Sequence, residues 1–136
     1  MISYLDTSAA AKILLREAES DALKAQLDDL RDGGLLVMSS VLLETELRRT
    51  AERAGHPQSL VTEILDRLEI FELDRAVFRA AGLLPGVHLR SLDALHIAAA
   101  FRVGADVMVT YDERQIDAAR AVGLHTLSPG ADPAQR

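Results

Sequence analysis

The sequence predicts an α/β fold built on a mainly parallel sheet, and three observations predict it. Short, largely apolar runs of strand length alternate along the chain with stretches of helical periodicity. Runs such as Leu35-Leu36-Val37-Met38 and Val107-Met108-Val109-Thr110 are apolar nearly throughout, which suits strands covered on both faces. The chain has 136 residues, 49% hydrophobic and 26% charged, an ordinary globular balance with bulk enough for one well-filled core.

The elements follow in order. Ile2-Ser3-Tyr4-Leu5 reads as a first strand, and Asp6-Thr7-Ser8 opens a helix with capping side chains. Leu23, Leu27 and Leu30 share a helical stripe in the next element, which Gly33-Gly34 stops. After the strand at Leu35-Leu36-Val37-Met38, Ser39-Ser40 is expected to cap a helix closed by Gly55 and Pro57, and another helix follows over about 58–67. Ile70-Phe71-Glu72-Leu73 is a third strand, followed by a helix from Asp74 and a loop holding Pro85-Gly86. A helix capped by Ser91 and ended by Gly104 is apolar almost all round, the mark of a buried helix. The strand at Val107, a helix from Glu113 to Gly123, and a last strand at Leu124-His125-Thr126-Leu127 complete the pattern.

Composition narrows the function. Cysteine is absent, which removes disulfides and thiolate metal sites. The start, Met1-Ile2-Ser3-Tyr4-Leu5-Asp6, has no basic region and no long apolar run, so the expectation is a cytoplasmic protein without a membrane segment. The net charge of −6 disfavours indiscriminate polyanion binding, yet the basic residues are thirteen Arg and two Lys. Arginine suits bidentate phosphate contacts, and a GC-rich genome yields the same bias.

The candidate site consists of acids. Asp6 directly follows the first strand and Asp112 lies just past the fourth, and ligands of open parallel sheets bind beyond the C-terminal strand ends. Asp106 begins its strand instead, roughly 15–20 Å from Asp112 at strand rise, and reads as structural. Asp93 sits in the first turn of the apolar helix, where a lone carboxylate is costly. Glu44 and Glu46 point about 200° apart on their helix, so only one can face the crevice. The apolar neighbours Leu42 and Leu43, with Arg49, select Glu46. Glu44 should pair with Arg48 at i,i+4.

Four convergent carboxylates repel one another and raise one another's pKa values. A hard divalent cation relieves this, and oxygen-only ligands point to Mg2+ or Mn2+. Taken singly, each acid has an ordinary role: Asp6 as a cap, Asp93 and Asp112 as acids at helix N-termini, Glu46 as a solvated glutamate. His96, one helical turn after Asp93, reads as a packed core histidine rather than a ligand. His56, His88 and His125 lack ligand spacing. Gly33-Gly34 follows a helix, so it is no phosphate loop.

Four segments carry a family resemblance: Leu5-Asp6-Thr7-Ser8-Ala9, Ser39-Ser40 through Glu46-Leu47, Arg90-Ser91-Leu92-Asp93-Ala94-Leu95-His96, and Val109-Thr110-Tyr111-Asp112. In these the chain resembles the PIN-domain ribonucleases, and within them the VapC-type toxins of bacterial toxin–antitoxin pairs. The resemblance implies a three-layer α/β/α sandwich and a Mg2+-dependent endoribonuclease whose four acids fall on Asp6, Glu46, Asp93 and Asp112. It further implies a small antitoxin from the same operon that blocks the site, a homodimer, and a structured RNA substrate. The helices between Val41 and Arg67 are the expected antitoxin surface. One nuclease domain over residues 1–128, with a loose tail at 129–136, is expected. Two other classes stand beside this one. A phospho-receiver domain needs an acid pair after the first strand and a Lys after the last, and only Asp74 imitates its acceptor. A non-catalytic binding module would tolerate neutralised acids.

Overall fold

The computed structural model describes residues 1–131, so residues 132–136 of the expected tail lie outside the described residues. The elements are β1 (Ile2–Leu5), α1 (Thr7–Leu15), α2 (Ser20–Asp32), β2 (Leu36–Ser40), α3 (Val41–Ala54), α4 (Gln58–Asp66), β3 (Glu69–Phe71), α5 (Arg75–Gly82), α6 (Ser91–Arg102), β4 (Val107–Val109), α7 (Glu113–Ala121) and β5 (His125–Leu127). The sheet order is β3-β2-β1-β4-β5, and each neighbouring pair is parallel.

Alternation along the strands divides the core in two. Leu5, Val37 and Val109 face α1 to α4, packing on Leu14, Leu23, Leu27, Leu43 and Leu47. Tyr4 and Met108 face the other way, against Val77 of α5, Ile97 of α6 and Ala119 of α7. This is the three-layer sandwich. The helix α6 is buried from Ala94 through Ala100, as its all-round apolar sequence predicts. The buried Leu23, Leu27 and Leu30 stripe of α2 contributes about 1.5–3 kcal/mol per leucine. Among the described residues no helix is long and apolar enough to cross a membrane.

Local expectations differ from the structure at two caps and at the ends of four strands; β4 stops at Val109, one residue short, and β5 starts at His125, one residue late. Ser91 is the first residue of α6 rather than its cap, and Arg90 precedes it with no side-chain capping bond. Ser40 stands at the N-cap of α3 but accepts a hydrogen bond from the Tyr4 hydroxyl instead of capping. Ser39 donates to the Leu5 carbonyl at 2.7 Å. These two buried hydroxyls hold the chain in the sheet, and β2 therefore runs to Ser40, beyond the apolar run. β3 runs Glu69–Phe71, starting one residue early and ending two short of the expected Leu73, because its partners are Met38 to Ser40. Asp106 is structural as expected: its carboxylate accepts the Ile2 N–H at 2.7 Å.

Candidate active site

Strand order explains why the acids meet. The chain leaves β1 toward β2 on one side and returns to β4 on the other, so the crevice at the C-terminal ends of β1 and β4 is a topological switch point. Leu5 pairs with Val109, and Asp6 N–H donates to the Val109 carbonyl at 3.2 Å. Asp6 is buried, 3% exposed. Its Oδ1 accepts from Ser8 Oγ at 2.7 Å and from the Ala9 N–H at 3.1 Å, capping α1. Its Oδ2 accepts from Thr110 Oγ1 at 2.6 Å. Burial still pushes the Asp6 carboxyl above the ordinary range, against the His96 ring and these hydrogen bonds.

Asp112 is exposed and caps α7, its Oδ1 accepting from the N–H groups of Arg114 at 2.9 Å and Gln115 at 3.2 Å. Ser8 ties the two strand ends together, since its Oγ accepts the Tyr111 N–H at 2.9 Å while donating to Asp6. Gln115 of α7, fully buried, donates to the Asp93 carbonyl at 3.3 Å and so joins α7 to the first turn of α6.

Asp93 is half-buried and makes no side-chain hydrogen bond among the described residues. Burial, then the charges of Asp112, Asp6 and Glu46, hold its carboxyl above the ordinary range, while His96 opposes them. Those contributions place the other three predicted acids within electrostatic reach of Asp93. Glu46 enters from α3. The buried stripe of that helix is Leu43, Leu47 and Ala51, with Glu46 half-buried on its flank. Glu44 is exposed and paired with Arg48 at 3.0 Å. Arg49, expected on the inward stripe, is exposed.

Glu46 Oε1 accepts from Thr7 Oγ1 at 2.8 Å and lies 2.7 Å from His96 Nε2. Burial works against its charge, but the hydrogen bond and charge of His96 and the Thr7 hydroxyl outweigh it and lower its pKa. His96 is buried as expected, at 2% exposure, yet it touches a candidate site residue rather than only core. Thr7, Ser8, Thr110 and His96 are the site's supporting residues that sequence reasoning left out. The i,i+3 spacing of His96 from Asp93 was the available signal. Asp74, the imitation phospho-acceptor, caps α5 and pairs with Arg102 at 3.0 Å.

The donor set suits a hard cation: four carboxylates, no sulfur, and one acid whose protonation the others promote. Among the described residues no three His, Asp or Glu side chains are gathered tightly enough to hold an ion between them. A divalent cation at these acids would be bound directly by one or two carboxylates and would keep its remaining ligands as water.

Residues 3–121 match the PIN domain. Ribonuclease VapC35 of Mycobacterium tuberculosis is 43% identical over 133 residues, covering 93% of this chain and 96% of that protein. Ribonuclease VapC47 of the same organism is 38% identical over 132 residues, covering 94% and 97%. The crystal structure of VapBC2 from Rickettsia felis, bound to a DNA fragment from their promoter, superposes with a TM-score of 0.77 at 20% identity, over 93% of this chain and 98% of that one. The chain therefore belongs to the PIN-domain family, among its VapC ribonucleases. Ribonucleases with this domain are generally divalent-metal dependent.

Proposed function

We propose that this protein is a Mg2+-dependent endoribonuclease, with Mn2+ able to substitute, and the toxin of a toxin–antitoxin pair acting in the cytoplasm. The observation that carries this reading is the group of four acids at the β1/β4 switch point, three of which raise the pKa of Asp93. Asp6, Asp93, Asp112 and Glu46 would face the ion, one or two of them binding it directly and the others through its waters. When bound, the ion neutralises charge on the phosphodiester and activates water for attack. Asp6 anchors the site, its carboxylate fixed by Ser8, Thr110 and the start of α1. Glu46 stays ionised beside His96, and its Oε2, which has no protein partner among the described residues, would orient the attacking water. Asp112 presents charge from the mouth of the crevice while capping α7. A single nuclease domain over residues 1–128 belongs to the same reading.

The partner is a small antitoxin from the same operon. An apolar groove of about 240 Å³ lies between α1, α2 and α4, floored by Ile13, Leu14, Leu27, Leu60, Ile64 and Leu68. Arg16, Lys24, Arg31 and Arg67 rim it beside Asp28 and Glu63, with Arg31 paired to Asp28 at 3.6 Å, so the rim is mixed with a basic excess and suits an amphipathic helix with acidic flanks. This groove shares only α4 with the surface expected from sequence. A homodimer through α5 and α6 completes the proposal.

The test is incubation of purified protein with total RNA and Mg2+, then with Mn2+, then with excess EDTA, followed by mapping of new 5′ ends. Discrete ends should form with either metal and vanish in EDTA. Addition of the product of the neighbouring small open reading frame should stop the reaction. Cleavage undiminished in EDTA would refute the metal-dependent reading.

A further inference from the structure

His96 lies inside the most buried of the described helices, between Leu95 and Ile97, at 2% exposure. A buried imidazole needs both ring nitrogens satisfied. Here neither contact is to the backbone. Nδ1 is 2.7 Å from the Tyr4 hydroxyl, and Nε2 is 2.7 Å from Glu46 Oε1 and 3.1 Å from Thr7 Oγ1. Tyr4, fully buried on the central strand, donates to Ser40 Oγ at 2.9 Å, and its ring meets His96 edge-on at a centroid distance of 5.7 Å. A side-chain chain thus runs Ser40–Tyr4–His96–Glu46, from the end of β2 through β1 and α6 to α3.

We infer that His96 is the positioning residue for Glu46: anchored by Tyr4, it holds Oε1 against the protein and leaves Oε2 as the oxygen available to the site. The inference rests on the reading of Glu46 as a site residue. Glutamate has among the largest rotamer freedoms of any side chain. Two hydrogen bonds on Oε1 select one orientation, and the rigidity comes from an aromatic pair packed in the core rather than from the surface of α3. The arrangement has the logic of outer-sphere partners that orient metal-binding side chains, with a histidine here orienting a carboxylate.

Two amides of similar polarity separate the two ends of the ring. His96→Gln reaches about as far as Nε2 and keeps a donor for Glu46. His96→Asn reaches about as far as Nδ1 and keeps only the Tyr4 contact. The full chain, His96→Gln, His96→Asn, Glu46→Gln and the Asn/Gln double variant are titrated with Mn2+ alone by calorimetry, and kcat and KM are measured on one RNA. His96→Asn should weaken Mn2+ binding and lower kcat by about 10- to 100-fold with KM little changed, while His96→Gln stays near the unmodified protein. His96→Asn should add nothing in the Glu46→Gln background. Equal losses in the Asn and Gln variants, or Mn2+ binding unchanged in both while Glu46→Gln is weakened, would overturn the positioning role and leave His96 a packing residue. If Glu46→Gln itself binds Mn2+ and cleaves normally, Glu46 leaves the proposed site and the inference falls with it.

Discussion

Glu44 and Glu46 have the same side chain, two positions apart on one helix, and their surroundings give them opposite roles. Glu44 is exposed and paired with Arg48, a contact worth a few tenths of a kcal/mol at most. Glu46 is held by Thr7 and His96. Glu46→Gln should slow single-turnover cleavage of an RNA at saturating Mg2+ by about 10²–10³, a typical loss for a group acting only in the transition state. Glu44→Gln should retain the full rate, and the reverse result would mean that α3 turns its other face to the crevice. Asp93 allows a test without substrate. Burial and its acidic neighbours raise its pKa above the ordinary 3.8, so from that pH upward the folded protein holds more protons than the unfolded chain. Asp93 therefore costs stability increasingly as pH rises toward neutrality. Asp93→Asn should raise the thermal midpoint of the metal-free protein at neutral pH, and the gain should shrink as the pH falls toward 3.8. A gain that does not depend on pH would remove the electrostatic cause.

At the scale of elements, Asp112 carries two jobs that substitution can separate. It caps α7 through two N–H groups and contributes charge to the crevice. Asparagine caps as well as aspartate does, so Asp112→Asn should keep stability in urea unfolding and lose cleavage. Asp112→Ala should lose cleavage and about 1 kcal/mol of stability besides. Equal stability of the two variants would show the cap to be idle. The same residue shows what sequence reveals about elements. Helices α2 and α6 were legible because their stripes and stops are local, and Gly104 has the left-handed φ of 71° expected where α6 ends. The failure of Ser40 to cap α3 was not legible, because the hydroxyl's partner is Tyr4, 36 residues away and across the sheet. The positions of Asp6 and Asp112 followed from a rule about strand ends. The His96–Glu46 contact depends on how α3 and α6 are set over β1, which no local pattern encodes.

Among the described residues, a second apolar surface besides the α1/α2/α4 groove is uncovered. Phe78 of α5 is 52% exposed, Leu83 78%, Val87 96% and Leu92 of α6 47%, beside a cleft lined by Ala81, Leu84, Leu89 and Leu95. Single exposed leucines need no explanation, but four exposed aromatic and aliphatic side chains within one α5–loop–α6 segment, beside an apolar cleft, mark an association surface. A two-fold dimer places one patch against its own copy, which requires no second complementary surface. The patch lies on α5, the following loop and the outer side of α6, and α6 also carries Asp93 and His96. Association would therefore brace the helix that carries Asp93 and His96. Sedimentation equilibrium at micromolar concentration should give a dimer for the unmodified protein and a monomer for Phe78→Glu combined with Val87→Glu. The thermal midpoint of the dimer should rise with protein concentration, and that of the double variant should not. Neither substitution touches an acid of the crevice, so metal binding by the double variant should survive, although weakened if bracing matters. A monomeric unmodified protein under these conditions would refute the dimer and leave the α5–α6 patch to another partner.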